Sequence, residues 1–214
     1  YGLYAEDVMD FWRPNYRDNA LVDGKYSMLV YISALLESWK QYAERSGRRF
    51  EDHARFCYHL PFTKMAEKAH SRLMKDVGLT PTPALMDALL GDSLRYNRIT
   101  GNTYTASVYE GLSSLLDHCT DDLGGKRIGL FSYGSGCMGE FYSGVVQPEY
   151  RKHLFTEQHS RLIAGRTELT YQQYEDIFQL GFPTDGGEHT FAQYRTGPFR
   201  LAGVSQHKRI YEAV

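Results

Sequence analysis

His59 and a few polar residues are where this sequence could do chemistry. His59 follows a short apolar and aromatic run, ARFCY at residues 54–58, and stands two positions before Pro61. Such a run reads as a buried strand, and a proline placed there reads as the opening of a helix. The imidazole therefore falls at a strand's carboxyl end, facing the amino end of the next helix, where α/β proteins commonly build their sites. A neutral imidazole at that place could donate a hydrogen bond to a carbonyl or shuttle a proton near pH 7. The bland alternative is a histidine satisfied inside a core. The remaining histidines, among them His53, His70 and His159, stand in no motif. Lys64 and Lys68 are four apart on the predicted helix and share a face. Two neighbouring ammonium groups invite a polyanion, unless the pair is simply a solvated face. Asn102 precedes a predicted helix and fits an N-cap or a turn; its neutral amide could also orient a carbonyl without adding charge. Ser135, between Gly134 and Gly136, serves either the turn or a ligand oxygen, and its small neighbours let a ligand approach the backbone. Ser27 stands just before a strong helical pattern and could be its N-cap.

The elements that must position these residues are legible as periodicities. Leu29, Ile32, Leu35, Leu36, Trp39 and Ala43 recur at helical spacing, and Gly47 with Arg48 and Arg49 suits the helix end. A second helix is predicted from Pro61 to about Lys75, with Met65, Ala69 and Leu73 on one face. Pro81 and Pro83 mark a polar connection, and residues 84–98 read as helical. A helix from about Thr105 to His118 carries Ala106, Ser107, Gly111, Ser113 and Ser114, small residues that permit close packing. Residues 127–133 and 138–146 read as two strands of a hairpin around Gly134-Ser135-Gly136. A short helix is expected over 170–179 and one or two strands between Phe199 and Tyr211. Residues 1–27 read as an irregular leading segment, with turn signals at Arg13-Pro14-Asn15 and Asp23-Gly24. Strand and helix alternate through the middle, so the expected class is α/β with a mixed sheet.

Bulk properties narrow the function. The 214 residues give room for one globular domain with a sizeable core, and 42% hydrophobic with 23% charged residues is an ordinary soluble composition. A net charge of -2 argues against a nucleic-acid or membrane-surface footprint. No apolar run approaches the roughly 18 residues that a membrane helix needs, and no basic, apolar leader opens the chain. Cys57, Cys119 and Cys137 are too few and scattered for a disulfide framework or a zinc site, so a reduced, cytoplasmic protein is expected. Tyr1 and the sequence YGLYAEDVMDFW read as mid-domain, so the chain is expected to be a piece of a longer protein. No P-loop, dinucleotide fingerprint, H-E-x-x-H or G-x-S-x-G occurs.

Five segments then carry a resemblance: DFWRP (10–14), VDGKYS (22–27), HLPFTKMAEK (59–68), GNTYTASVY (101–109) and GLFSYGSG (129–136). In this order and spacing they resemble the hydroxymethylglutaryl-CoA synthases, over roughly residues 1–180. The tail after Thr184 carries no such motif. The resemblance implies a thiolase-like α/β fold, of which this chain is the carboxy-terminal half, with a mixed sheet and layered helices. Residues 1–27 would be the segment connecting to the absent amino-terminal half, and 28–214 the C-terminal thiolase-like domain. It implies that His59 is the catalytic histidine binding the acetoacetyl group, with Asn102 and Ser135 also contacting that group. Lys64 and Lys68 match lysines used for CoA, Ser27 a contact to the CoA substrate, and Asp10 an acid near the active site. The family's cysteine nucleophile and glutamate base lie in the other half; none of Cys57, Cys119 and Cys137 matches the nucleophile.

The implied reaction condenses acetyl-CoA with acetoacetyl-CoA, on the mevalonate route. Both thioesters are substrates, and no cofactor or metal is implied. The partners would be these two thioesters, the amino-terminal half and a second copy in a homodimer, with no nucleic acid or membrane. Two other readings compete. One is the relative that installs β-branches on polyketides from acyl-carrier-protein substrates; it tends to lack the pair matching Thr63 and Lys64. The other is a non-catalytic thiolase-like binding module.

Overall fold

The computed structural model describes residues 1–193 and 197–214. The chain forms two compact units, Tyr1–His159 and Ser160–Val214.

The first unit is built on a four-stranded mixed sheet. Strand β1 (Gly2–Ala5) opens the chain, followed by a two-stranded ribbon of β2 (Phe11–Trp12) and β3 (Leu21–Val22). Helix α1 (Gly24–Ser46) leads to β4 (Arg55–Tyr58), and α2 (Thr63–Asp76) follows. After α3 (Pro83–Leu90), α4 (Asn97–Thr100) and α5 (Ser107–His118) come the long hairpin strands β5 (Arg127–Gly134) and β6 (Met138–Val145). The sheet order is β1-β6-β5-β4; β4 runs parallel to β5 and the other pairs are antiparallel. The mixed sheet and the Gly-centred hairpin are as the sequence pattern implies.

Alternation along the strands decides which helix covers which face. Phe56, Tyr58, Phe131 and Phe141 pack with Tyr31, Leu35 and Trp39 of α1 and Met65, Ala69 and Leu73 of α2. Cys57, Ile128 and Leu130 point the other way and meet Val108 and Leu115 of α5. Phe56, Phe131 and Phe141 are fully buried, which stabilises the fold by roughly 1.5–3 kcal/mol per side chain before entropy is counted.

Three expectations need correction. The leading segment is not irregular: β1 completes the sheet edge by pairing with β6. Gly2 permits this, because a Cβ there would lie 2.0 Å from the Ser38 carbonyl oxygen and 2.4 Å from the Tyr42 nitrogen of α1. The helix expected over 84–98 is broken after Leu90 into a 3₁₀ turn, Gly91–Leu94, and the short α4. Serine hydroxyls intercept the backbone there: Ser93 donates to the Leu90 carbonyl, Ser114 donates to the Asp92 carbonyl and accepts from the Tyr96 N–H. Finally, the predicted stripe of α1 faces the core except at Leu29, and the buried face is wider than the stripe: Leu35 and Trp39 are buried, and Ile32, Leu36 and Ala43 pack against the core. Leu29 is 60% exposed, while Tyr31 and Tyr42 are buried because their hydroxyls find partners at the His59 carbonyl, His53 and Ser143.

The second unit begins within α6 (Thr156–Ala164) and continues through α7 (Tyr171–Phe178), capped by Thr170 and Gln173 in a capping box. An antiparallel sheet of β7 (His189–Thr190), β8 (Phe199–Ser205) and β9 (Lys208–Ala213) closes it. Among the described residues, no helix is long and apolar enough to cross a membrane.

Candidate active site

The carboxyl end of β4 delivers His59 into a cavity of about 540 Å³. The His59 N–H donates to the Phe131 carbonyl at 2.7 Å, which continues the β4–β5 ladder by one residue. Its own carbonyl accepts from the Tyr31 hydroxyl at 2.7 Å. With the backbone held on both sides, the ring is placed by the sheet and by α1. His59 is 7% exposed. Burial pushes its pKa down to about 4, with the Tyr104 carbonyl pulling weakly the other way. The imidazole is therefore neutral near pH 7.

Four of the residues singled out by the sequence line this cavity together: Ser27, His59, Asn102 and Ser135. Phe11, Met28 and Met65 contribute apolar wall. Each polar residue reaches the cavity from a different segment. Ser27 lies in the first turns of α1 but does not cap it, contrary to the capping alternative; Asp23 does, accepting from the Tyr26 N–H at 3.1 Å. The Ser27 hydroxyl donates instead to Asp10 at 3.1 Å. Asn102 serves the turn as well as the wall. Its side-chain oxygen accepts from the Tyr104 N–H at 2.7 Å, so the part of the amide left for a ligand is its NH₂ donor. Ser135 sits at the exposed tip of the β5–β6 hairpin.

Asp10 does not line the cavity but builds it from behind. It is completely buried. One carboxylate oxygen accepts from Ser27 and from the Tyr133 hydroxyl at 2.8 Å, and the other accepts from the Gly136 N–H at 3.0 Å. Burial works to raise its pKa, but hydrogen bonds from Tyr133, Ser135, Ser27 and Gly136 outweigh burial and hold it below the ordinary carboxylate range. Burial and the Asp10 charge together push the Tyr133 phenol well up. Backbone bonds between Glu6 and Cys137, and from the Val8 N–H to the Gly136 carbonyl, tie the leading segment to the same loop.

Lys64 and Lys68 share a face of α2, as expected, and both are exposed. Neither lines the cavity. Lys68 reaches its rim: the ammonium stands 5.7 Å from the centre of the Phe62 ring and 3.8 Å from the Met28 sulfur, both lining residues. Helix α2 opens with no side-chain cap at Phe62 and no acid in its first turn. A lysine in a helix's first turn opposes the macrodipole, so Lys64 stands where helix stability alone would not put it.

Three features escaped the sequence reading. Ser107, noted there only as a small residue, bonds to the His59 ring at 3.0 Å. Tyr133 links the cavity wall to Asp10. Tyr104, beside Asn102, has a positive φ of 54°, uncommon for a residue with a side chain and concentrated near functional sites.

The profile described as hydroxymethylglutaryl-coenzyme A synthase C terminal matches residues 1–84 and 80–183. The hydroxymethylglutaryl-CoA synthase of Enterococcus faecalis is 38% identical over 186 residues, covering 86% of this chain and 48% of that protein. The polyketide biosynthesis 3-hydroxy-3-methylglutaryl-ACP synthase PksG of Bacillus subtilis (strain 168) is 32% identical over 183 residues, covering 83% of this chain and 43% of the relative. A crystal structure of an HMG-CoA synthase complexed with CoA superposes with a TM-score of 0.87 at 37% identity, over 99% of this chain and 55% of the other. This chain thus spans about half the length of the curated relatives it matches. The α/β architecture above is the expected thiolase-like fold, and the chain belongs to the hydroxymethylglutaryl-CoA synthase family, in the part that its profile describes as C-terminal.

Proposed function

We propose that this chain is the carboxy-terminal half of a hydroxymethylglutaryl-CoA synthase, which condenses acetyl-CoA with acetoacetyl-CoA to give 3-hydroxy-3-methylglutaryl-CoA on the mevalonate route. The observation that carries this reading is the convergence of Ser27, His59, Asn102 and Ser135, from four separate segments, on one cavity with apolar walls. A cysteine of the other half would hold the acetyl group as a thioester, and a glutamate there would take a proton from its methyl group. The resulting carbanion attacks the ketone of acetoacetyl-CoA, the tertiary alkoxide takes a proton, and water frees the product.

The residues on this side bind and orient the second substrate. A neutral His59, the amide NH₂ of Asn102 and the Ser135 hydroxyl or N–H supply donors for the acetoacetyl oxygens. Holding two reactants in register can remove several kcal/mol of the barrier, up to roughly 7–11 in the best cases. Lys64, in the uncapped and acid-free first turn of α2, and Lys68, one turn further along the same face, suit the CoA phosphates. Similarity to a synthase of acyl-carrier-protein substrates keeps the polyketide reading as the alternative; the Thr63–Lys64 pair and the higher identity to the Enterococcus CoA enzyme favour CoA. A homodimer in the cytoplasm belongs to the same proposal; the dimer rests on the family resemblance and the compartment on the three scattered free cysteines.

Acetyl labelling tests the division of labour. Burial pushes the Cys57 thiol far up and the Cys137 thiol up, so neither offers the thiolate that covalent catalysis needs. The 214-residue chain incubated with labelled acetyl-CoA should carry no acyl group on Cys57, Cys119 or Cys137. The full-length protein should take one acetyl group and pass it to acetoacetyl-CoA. A stoichiometric thioester on any of the three cysteines would overturn the proposal.

A further inference from the structure

Ser107, the first residue of α5, is fully buried and lies against the carboxyl end of β4. Its hydroxyl oxygen has two neighbours within hydrogen-bond distance. The Leu60 N–H, which can only donate, is at 2.8 Å, and His59 Nδ1 is at 3.0 Å. The oxygen therefore accepts from Leu60, and its one hydrogen needs an acceptor. Nδ1 supplies that acceptor only if it carries no proton itself. The reverse arrangement, Nδ1–H donating to the hydroxyl, would leave the buried serine hydrogen with no acceptor among these neighbours, and buried donors are rarely left so.

From this geometry we propose that Ser107 is a positioning residue for His59, holding the imidazole as the tautomer protonated on Nε2, so that the nitrogen left for the cavity is a hydrogen-bond donor.

One further observation agrees. The amino end of α5 starts at Ser107 itself, and the positive end of a helix dipole beside an imidazole favours its neutral form. The tautomer follows from hydrogen bonding alone. Its consequence for turnover rests on the reading of the cavity as the acetoacetyl site. There, an Nε2–H recognises a carbonyl oxygen and the alkoxide that replaces it, and strengthens its bond as negative charge develops. It does not accept a proton at Nε2 in the resting protein.

The test labels the full-length protein with ¹⁵N-histidine and records two-bond ¹H–¹⁵N correlations near neutral pH, with His59→Gln to assign the ring signals. The expected spectrum shows an unprotonated Nδ1 and a protonated Nε2; a protonated Nδ1 overturns the proposal. Ser107→Ala should shift His59 toward a mixture of tautomers and slow condensation about tenfold or more, as loss of part of an aligned donor would, while leaving acetylation by acetyl-CoA unchanged. Ser107→Thr, which keeps the hydroxyl, should retain the tautomer and the rate. Wild-type turnover in Ser107→Ala would overturn the positioning role even with the tautomer as expected. If Ser107→Ala fails to fold, the wild-type and Ser107→Thr spectra still decide the tautomer. If the full-length wild-type protein makes no product at all, the proposed function fails separately, and the spectra still decide this proposal.

Discussion

Replacing Asp10 with asparagine keeps the side chain's shape and removes its charge. The carboxylate accepts hydrogen bonds from the Ser27 hydroxyl at 3.1 Å, the Tyr133 hydroxyl at 2.8 Å and the Gly136 N–H at 3.0 Å. A hydrogen bond to a charged partner contributes roughly 1.5–3 kcal/mol and a neutral one roughly 0.5–1.5, so each of the three should lose about 1 kcal/mol. Asparagine also has only one acceptor oxygen. If that oxygen stays on the Gly136 N–H, both hydroxyls lose the acceptor that holds them and must turn to receive the new NH₂ group. A total loss of about 3 kcal/mol is therefore expected near pH 7. The pH dependence supplies a second check. The folded pKa of Asp10 is depressed, so its stabilisation is fully present above the unfolded value, near ~3.9, and is lost as pH falls through the folded value. Asparagine has no such proton, so the gap between wild type and Asp10→Asn should narrow on acidification. Urea denaturation of both full-length proteins at about pH 7 and about pH 3.5 measures it. Equal stability at neutral pH, or a gap that does not change with acid, would refute the idea that this buried charge secures the loop.

Three other perturbations separate the roles assigned above. His59→Ala in the full-length protein should impair binding and turnover of acetoacetyl-CoA while acetylation by acetyl-CoA proceeds; equal loss of both steps, followed by trapping the acetyl enzyme, would mean that His59 activates the nucleophile instead. Lys64→Ala and Lys68→Ala should each raise the apparent constant for CoA thioesters roughly tenfold and affect short pantetheine thioesters less, with the penalty shrinking at high salt; an equal penalty on both substrate lengths would assign the lysines to the acyl pocket or the fold. Gly2→Ala should destabilise the protein by about 1–3 kcal/mol, since its Cβ would meet α1 backbone at 2.0 Å; a thermal melt unchanged from wild type would show that β1 is not seated on that helix.

The elements that the sequence made legible are those whose signal is local. The run ARFCY became β4, and Gly134-Ser135-Gly136 marked the turn between two apolar strands. His59 could be placed because the strand and Pro61 bracket it within a few residues. What was not legible depends on distant partners. β1 has four residues, one of them glycine, and is a strand only because β6 pairs with it. The burial of Tyr31 and Tyr42 on α1 was not legible, because tyrosines are cheap to bury only when their hydroxyls are met by distant partners. Ser27 was a candidate cap because serine often caps, but Asp23, four residues earlier, takes that place. No spacing rule connects Ser107 to His59, 48 positions apart.

The tie between Asp10 and the hairpin loop has a consequence in time. The bond from Gly136 spans 126 positions of chain and the one from Tyr133 spans 123. Closing so long a loop carries an entropy cost that grows with its length, and contacts this distant in sequence form slowly compared with helices and turns. On a ribosome, the first residues of this chain must wait until the hairpin has been synthesised before β1 has a strand partner and before Asp10 gains more than its bond from Ser27. Helices α1 and α2 can form before then, so the cavity that they border waits for the hairpin to complete its wall. Whatever binds there would meet a finished frame rather than help to assemble it.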